Sequence, residues 1–382
     1  MSNFQKVFIM VVSTVISLSI FEGVLQLIDY PNGEEQKKSE RLIPDRLYHH
    51  VHRPDYSFVV RMDKKDDLRK INVEIDDEGF RDRPRQPEKD QVLIMGDSFV
   101  EARQVKLDEM FGNLIEDRLK SLDIVNVGVA SWSSVLYYNW IRDRLRDKRF
   151  PHLKGVFLFF FVNDPYDTLT YLGQADNPED FENITFNKLT SQEESKNLLM
   201  KKKITHWFYL NSKLYYLLHL AKSKFSQRLA QARNLSQKNH EIDDSDMVSL
   251  FAGIETEHQK RAINTEMRYI TRIGKLLKQN NVRFTLVYVP FALQVGRDEN
   301  GGGSRFYSSE IRDLAYSSSV QDILSDLAGK EEFNYIDLTP LMRKYRETHD
   351  NIHLYNYYDG HFSKAGHEVV AEILFPYFNS FN

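Results

Sequence analysis

The clearest pattern along the chain is an alternation of short apolar runs with stretches of helical periodicity, which begins at Val92. Apolar runs that are bounded by turn residues are typical of strands buried on both faces of a parallel sheet. The pattern predicts five such strands, at residues 92–95, 124–127, 156–161, 283–289 and 333–338.

Helical spacing of apolar residues fills the intervals between these strands. It predicts helices around residues 110–119, at 133–146 with Ser133 as the N-cap, at 255–278, over most of 307–327, and at 364–378. Strands that alternate with helices indicate the α/β class, in which a parallel sheet is covered by helices on both faces.

Three other parts of the chain lie outside this rhythm. The first is an apolar run at the N-terminus. The second is the polar segment 31–90, which is predicted to form a stalk through about Arg46 and then short edge strands at 56–60 and 71–75. Residues from about 168 to 246 are predicted to be a helical insertion. The chain is therefore divided into an anchor (1–30), a stalk and edge segment (31–90), and an α/β domain with the insertion (91–382).

The N-terminal apolar run, residues 7–28, is long enough to cross a bilayer. The alternative is a cleaved signal peptide, but Ser-Ile-Phe-Glu-Gly is a poor cleavage site. We expect an uncleaved, single-pass anchor in the cell membrane, with Lys6 inside and the α/β domain extracytoplasmic. Glu22, near the outer end, is expected either to reach the interface or to face a partner helix.

The insertion contains a strongly basic segment. Residues 199–235 include eight basic residues and no acidic one, and an apolar stripe at helical spacing runs from Trp207 to Leu229. The favoured interpretation is a helix packed on the core with a solvated basic face, because such stripes are common in soluble domains. The alternative is a basic amphipathic cap that rests on an anionic membrane surface or covers the site.

Composition narrows the class of protein. Of the 382 residues, 41% are hydrophobic and 28% are charged, which suffices for a sizeable core. The formal net charge of -4 implies no nucleic-acid partner. The absence of cysteine excludes disulfides, thiolate zinc sites, a cysteine nucleophile and a lipid-modified N-terminal cysteine. We expect neither a cofactor nor a metal.

Candidate chemistry appears where the first predicted strand ends. Gly96 and Asp97 break the apolar run and place Ser98 at the carboxyl end of the strand, where open α/β sheets bind ligands. The motif alone is weak, since Ser98 or Asp97 is equally suited to cap a helix. A serine hydroxyl becomes an effective nucleophile only when a base takes its proton.

A candidate base lies near the C-terminus, on a loop before the last predicted helix. His361 follows Asp359 by two residues, so that Asp359 can set the tautomer of His361 while His361 accepts the serine proton. His353 and His367 are alternatives to His361. Candidate oxyanion donors are the serine amide, an amide after the second strand, and the Asn163 side chain after the third.

These motifs resemble the SGNH hydrolase superfamily, also called GDSL esterases and lipases, over about residues 92–378 without the insertion. Gly96-Asp97-Ser98 matches the family's nucleophile motif, Asn163 its asparagine, and Asp359 with His361 its acid and base. The resemblance implies that Ser98 is the acyl nucleophile and that Asn163 is an oxyanion donor. It also implies a flavodoxin-like three-layer αβα sandwich.

The sequence departs from the family at three points. Ser131 stands where the family has a glycine after the second strand, and Gly128 is the nearest glycine, so the oxyanion amide belongs to one or the other. Phe161 replaces the usual glycine two residues before the asparagine. A single glycine separates the acid from the base, a spacing that resembles membrane-linked polysaccharide O-acetyltransferases of the superfamily.

The leading functional hypothesis is a membrane-anchored serine esterase or O-acyltransferase. Its acyl group on Ser98 would pass to water or to a sugar hydroxyl, and its expected partner is an acylated carbohydrate of the cell envelope. A membrane-embedded acyltransferase is a candidate protein partner. The alternatives are a non-catalytic SGNH scaffold that binds a membrane partner, and a lipase or phospholipid acyl hydrolase.

Overall fold

The structure is a computed structural model that describes residues 3–27, 40–62, 69–180, 182–187, 212–215, 217–218, 250, 254, 256–299, 317–357 and 359–381. The chain divides into two compact units. The smaller comprises Met1–Arg41 and Gln192–Glu241, and the larger comprises Leu42–Ser191 and Ile242–Asn382.

Nine strands lie in the described part of the larger unit. They are β1 (Leu42–Asp45), β2 (His49–His52), β3 (Tyr56–Arg61), β4 (Lys70–Ile75), β5 (Asp90–Gly96), β6 (Leu122–Gly128), β7 (Leu153–Phe160), β8 (Arg283–Tyr288) and β9 (Asn334–Asp337). The last five form one parallel sheet in the order β6-β5-β7-β8-β9. Counted along the chain, this is the flavodoxin-like order 2-1-3-4-5. The predicted five-stranded parallel sheet is confirmed.

Helices cover both faces of the sheet. In chain order the described helices are α1 (Asn3–Leu27), α2 (Ser98–Glu101), α3 (Phe111–Glu116), α4 (Ser134–Arg146), α5 (Asp164–Gln174), α6 (Glu257–Gln279), α7 (Ala292–Val295), α8 (Ser319–Glu331), α9 (Thr339–Thr348) and α10 (Lys364–Asn379). Helices α4, α5, α6 and α8 pack on one face, and α3, α7, α9 and α10 pack on the other. The predicted three-layer α/β fold is confirmed.

The alternation of side chains along β5 explains the two apolar layers. Leu93 and Met95 point into the core beneath α4–α6, whereas Val92 and Ile94 point into the core beneath α3 and α10. All four side chains are completely buried. A strand that is covered on both faces gains about 1.5–3 kcal/mol from each large apolar side chain it buries, which is why it appears in the sequence as an unbroken apolar run.

Some helical predictions differ from the structure in detail. Helix α4 begins after Ser133 as expected, but the Ser133 side chain makes no capping bond and instead accepts a hydrogen bond from Thr168 Oγ1 at 2.9 Å. Helices α5, α7 and α9 were not predicted. The first residues of the helix predicted at 307–327 lie outside the described residues, and α8 covers its second part.

The segment before the sheet contains two hairpins. Strands β1 and β2 pair antiparallel, and β3 and β4 pair antiparallel with each other. The segments at 56–60 and 71–75 are therefore strands, but they form a separate two-stranded sheet and not edges of the main sheet. Strand β1 begins at Leu42, within the last residues of the predicted stalk.

In the smaller unit, α1 is the predicted apolar segment. Its residues Phe8–Leu27 have a mean hydropathy of 2.1, which makes the helix long and apolar enough to cross a membrane, a property that signal sequences share. The Glu22 carboxylate accepts hydrogen bonds from Ser212 Oγ and from the N–H groups of Lys213 and Leu214, at 2.9–3.0 Å. Most of the basic segment at 199–235, with its apolar stripe from Trp207 to Leu229, lies outside the described residues.

Candidate active site

Ser98 is the first residue of α2, directly after β5. Asp97 is the N-cap of this short helix, because its Oδ1 accepts a hydrogen bond from the Phe99 N–H at 2.9 Å. Asp97, and not Ser98, therefore caps the N-terminus of α2. The Ser98 hydroxyl remains available for other contacts at the carboxyl end of the sheet.

The structure brings the candidate base and acid to this hydroxyl. His361 Nε2 lies 2.7 Å from Ser98 Oγ, and His361 Nδ1 hydrogen-bonds Asp359 Oδ1. Gln104 Nε2 donates to the same Asp359 oxygen at 2.8 Å. Since the nucleophile–base distance is within hydrogen-bond reach and the base is oriented by a third group, the arrangement has the geometry of a Ser-His-Asp triad.

The acid and the base shift each other's pKa. Burial alone would raise the pKa of Asp359, but the positive charge and hydrogen bond of His361 outweigh it and lower the pKa to about 2. Burial alone would lower the pKa of His361, but the Asp359 carboxylate outweighs it and raises this pKa above its usual value. Asp359 is thus ionised at neutral pH and stabilises the imidazolium that forms when His361 accepts a proton.

Neither alternative histidine makes a comparable contact. His367 is buried, stacks on Phe111, and accepts a hydrogen bond from the Phe111 N–H at 3.3 Å. Burial lowers the pKa of His367 to about 3, so it stays neutral. His353 is half exposed and lies beside Asp298 and Glu299.

Aromatic side chains support the base and account for the residue at position 161. The ring of Phe99 packs against the imidazole of His361, with 4.8 Å between ring centroids, and against Phe161 at 4.6 Å. Phe161 thus continues the apolar wall behind the base. A glycine in its place would leave the Phe99 ring without this neighbour.

Gly128 and Ser131, the two candidates for the oxyanion amide, differ in availability. The Gly128 N–H already donates to Asn126 Oδ1 at 2.9 Å, and a Cβ at this glycine would lie 2.2 Å from the Glu101 nitrogen. Ser131 is exposed and has a left-handed backbone, with φ 62°. This conformation costs an L-residue about 1–2 kcal/mol and is ordinarily given to glycine.

The N–H groups of Ser98, at the start of α2, and of Ser131, in the loop after β6, have no hydrogen-bond acceptor within the described residues. The first N–H of a helix has no intrahelical acceptor, which explains the free amide of Ser98. Of the two candidate amides after β6, the Gly128 N–H thus has an acceptor, and the Ser131 N–H has none within the described residues.

Asn163 lies at the end of β7 as expected, but its side chain is engaged with carboxylates. Its Nδ2 donates to Asp167 Oδ2 at 2.9 Å, and the side chain also hydrogen-bonds Asp97. Four carboxyl groups gather here, and burial raises the pKa of each of them; they are Asp97, Asp164, Asp167 and Glu266. In the part of the chain that the structure describes, no group of three His, Cys, Asp or Glu residues could hold a metal ion.

Replacing Asn163 with alanine separates two roles for this side chain. If the carboxamide donates to the oxyanion, kcat falls about a hundredfold or more while KM changes little, the usual result of losing one such donor. We expect this result, measured by steady-state hydrolysis of a soluble ester. A lower unfolding temperature with unchanged kcat would instead make Asn163 a structural partner of the carboxylates.

Three contacting residues could not be identified from the sequence. Gln104 holds Asp359, while His50 and Tyr171 hydrogen-bond the carbonyls of Ala130 and Ser131. None belongs to a motif. The sequence offers one hint, which is that the histidine-rich segment around His50 is unusual for a stalk.

Comparisons with known proteins find similarity to solved structures at low sequence identity. No protein-family model and no curated protein matches the chain.

Among solved structures, the chain is similar to the acetyl xylan esterase AlAXEase, with 11% identity, a TM-score of 0.40, and coverage of 75% of this chain and 98% of that protein. It is similar to a member of the lipolytic protein G-D-S-L family from Veillonella parvula DSM 2008, with 9% identity, a TM-score of 0.38, and coverage of 76% and 98%. It is also similar to the psychrotrophic esterase EstA from Pseudoalteromonas sp., with 9% identity, a TM-score of 0.37, and coverage of 77% and 98%. The resemblance to the SGNH hydrolase superfamily thus remains one of motifs, strand order and the arrangement of Ser98, His361 and Asp359.

Proposed function

We propose that this chain is a membrane-anchored serine esterase or O-acyltransferase that forms an acyl-enzyme on Ser98. The observation that carries the proposal is the 2.7 Å contact between Ser98 Oγ and His361 Nε2, with Asp359 on the opposite nitrogen of the imidazole. Because a non-catalytic scaffold has no need of an oriented base, this contact favours an enzyme over a binding protein.

In the first half-reaction, Ser98 Oγ attacks the acyl carbonyl and its proton passes to His361 Nε2. The carbonyl oxygen becomes an oxyanion, which the N–H groups of Ser98 and Ser131 and the Asn163 carboxamide are proposed to stabilise. The ester C–O bond then breaks, and the departing alcohol takes the proton from His361. The product is an acyl ester on Ser98.

In the second half-reaction, water or an acceptor hydroxyl loses a proton to His361 and attacks the acyl carbonyl. The bond to Ser98 Oγ breaks, and the proton returns to that oxygen. Water gives hydrolysis, and a sugar hydroxyl gives transfer. An acylated cell-envelope glycan is the substrate class that an extracytoplasmic domain on a membrane anchor would meet.

A fluorophosphonate probe tests the proposal directly, because it phosphonylates only an activated serine. We expect the full-length chain in detergent to be labelled on Ser98, and the site to be read by peptide mass spectrometry. An ester screen with acetylated oligosaccharides and longer acyl esters then separates a glycan esterase from a lipase. Absence of label on a folded wild-type chain would reject an acyl-enzyme mechanism.

The anchor can be tested independently of the chemistry. Burial of about twenty mostly apolar residues makes insertion effectively irreversible, so the protein should stay in the membrane pellet after a carbonate wash. Protease added to intact spheroplasts should digest the α/β domain. Release by carbonate would reject the anchor, and full protection of the domain would reject the outward orientation.

The pH dependence of kcat/KM should report the base. His361 must be neutral to accept the serine proton, so activity should rise with pH and reach half its plateau above pH 6.5, the usual pKa of histidine. Arg103 acts to lower the pKa of His361, and Asp359 acts to raise it. Arg103→Ala should therefore move the midpoint to higher pH, and Asp359→Asn to lower pH. Midpoints that both stay in place would show that another group titrates.

A further inference from the structure

The loop that carries Ser131 is held by an element outside the five-stranded sheet. His50, at the hairpin β1–β2, lies with its Nε2 2.9 Å from the carbonyl oxygen of Ala130. The indole Nε1 of Trp132 donates back to the His50 carbonyl at 2.7 Å. These two hydrogen bonds run in opposite directions and join the hairpin to both sides of Ser131.

Helix α5 holds the same loop from a second direction. The hydroxyl of Tyr171 donates to the Ser131 carbonyl at 2.5 Å. The Tyr171 side chain is buried, and its ring lies against the imidazoles of His49 and His50, at centroid distances of 4.5 and 5.9 Å. Both carbonyls that flank the Ser131 nitrogen and α-carbon are therefore fixed by side chains from distant parts of the chain.

Planarity of the peptide bond gives the His50 contact a specific consequence. The Ala130 carbonyl and the Ser131 N–H belong to one trans peptide unit and point in opposite directions. Fixing the carbonyl therefore fixes the direction of the N–H. A hydrogen bond to the carbonyl also polarises the peptide, which makes its N–H a stronger donor.

The partner of His50 Nε2 shows which atom donates in this contact. A carbonyl oxygen only accepts, so His50 Nε2 carries a hydrogen. His50 Nδ1 lies 2.8 Å from His49 Nδ1. His49 Nε2 in turn lies 2.8 Å from the side-chain carboxamide of Gln174. These contacts hold the imidazole of His50 in place against the Ala130 carbonyl.

We propose that His50 and Tyr171 are positioning residues that hold the Ser131 peptide in its left-handed conformation and direct its N–H at the carbonyl oxygen of the reacting ester. The inference rests on the proposed function, and it assigns the hairpin β1–β2 to the catalytic apparatus. It also explains how a serine keeps a conformation for which the family uses glycine. The strain is maintained because three hydrogen bonds fix the loop from outside.

The test compares His50→Ala, His50→Gln and Tyr171→Phe with the wild type. Glutamine can place an N–H near the position of His Nε2, so it should restore the contact that alanine removes. With a soluble acetyl ester, His50→Ala should lower kcat about 10- to 100-fold, less than complete loss of one oxyanion donor, with KM unchanged within about twofold. His50→Gln should recover most of this loss. Tyr171→Phe should lower kcat about tenfold.

Matched controls separate positioning from folding. His152 is an exposed histidine whose replacement by alanine should change neither kcat nor the unfolding temperature. The three variants at positions 50 and 171 should be labelled more slowly by the fluorophosphonate, in the same order as their kcat values, while their unfolding temperatures stay close to that of the wild type.

The outcomes distinguish this inference from the proposed function. A wild type that is not labelled at Ser98 overturns both. A labelled wild type together with a His50→Ala variant of unchanged kcat overturns the positioning role alone. Equal losses in His50→Ala and His50→Gln, at equal unfolding temperature, also overturn it, because the N–H donor would then not be what matters.

Discussion

Replacing Ser98 with alanine should lower ester turnover by a factor on the order of 10⁴ or more while leaving the protein folded. The substitution removes one hydroxyl from a half-buried turn, and with it the atom that His361 Nε2 contacts. The cap of α2 belongs to Asp97 and is retained. The measurement is the initial rate of ester hydrolysis, combined with fluorophosphonate labelling and thermal unfolding.

Two further variants make the result specific. Ser57, an exposed serine on β3, should tolerate alanine without loss of rate. Asp359→Asn should lower kcat about 10⁴-fold but keep the nucleophile, so slow labelling should persist. Turnover by Ser98→Ala at a rate close to the wild type would refute the assignment of the nucleophile.

The sheet was predictable from the sequence because its strands are buried on both faces. The segment Val156–Phe160 has no exposed side chain, so the sequence shows an apolar run without alternation. Hairpin β1–β2 gave no such signal. Its strands have four residues each, contain Pro44 and three histidines, and are mostly half-buried, so their composition resembles a loop.

The site was predictable only where chemistry lies next to a strand end or a motif. Ser98 and Asn163 directly follow strands, and His361 and Asp359 lie together on one loop. Contacts between residues far apart in the sequence cannot be predicted from a local pattern. Gln104, for example, is 255 residues from its partner Asp359. The left-handed backbone of Ser131 could not be predicted either. A positive φ is expected at glycine, and a serine in the sequence does not indicate one.

The structure adds a second prediction, which concerns Gly128 and not the reactive groups. The position packs directly against the end of α2, the helix that begins with Ser98. A Cβ there would lie 2.2 Å from the Glu101 nitrogen and 2.4 Å from the Val100 carbonyl carbon. Both are backbone atoms, so no side-chain rotation can relieve the clash, and α2 or β6 must move.

Gly128→Ala should therefore lower both stability and activity. Overpacking of this kind costs about 1–3 kcal/mol of unfolding free energy, or more when backbone must shift. Because α2 carries the nucleophile, its displacement should also slow fluorophosphonate labelling of Ser98 by a factor of about ten or more, since small misplacements of reacting groups are costly. The measurements are the urea midpoint of unfolding and the labelling rate of the folded fraction.

Gly329 provides the matched control, because it lies inside α8 and a Cβ there would meet no atom within 4 Å. Gly329→Ala should leave labelling unchanged and raise stability by about 0.5–1 kcal/mol, as alanine does within a helix. The contrast between two glycine-to-alanine changes isolates the contact of Gly128 with α2 from any general effect of a methyl group. If Gly128→Ala matched Gly329→Ala in both stability and labelling rate, the close packing of β6 on the nucleophile helix would be wrong.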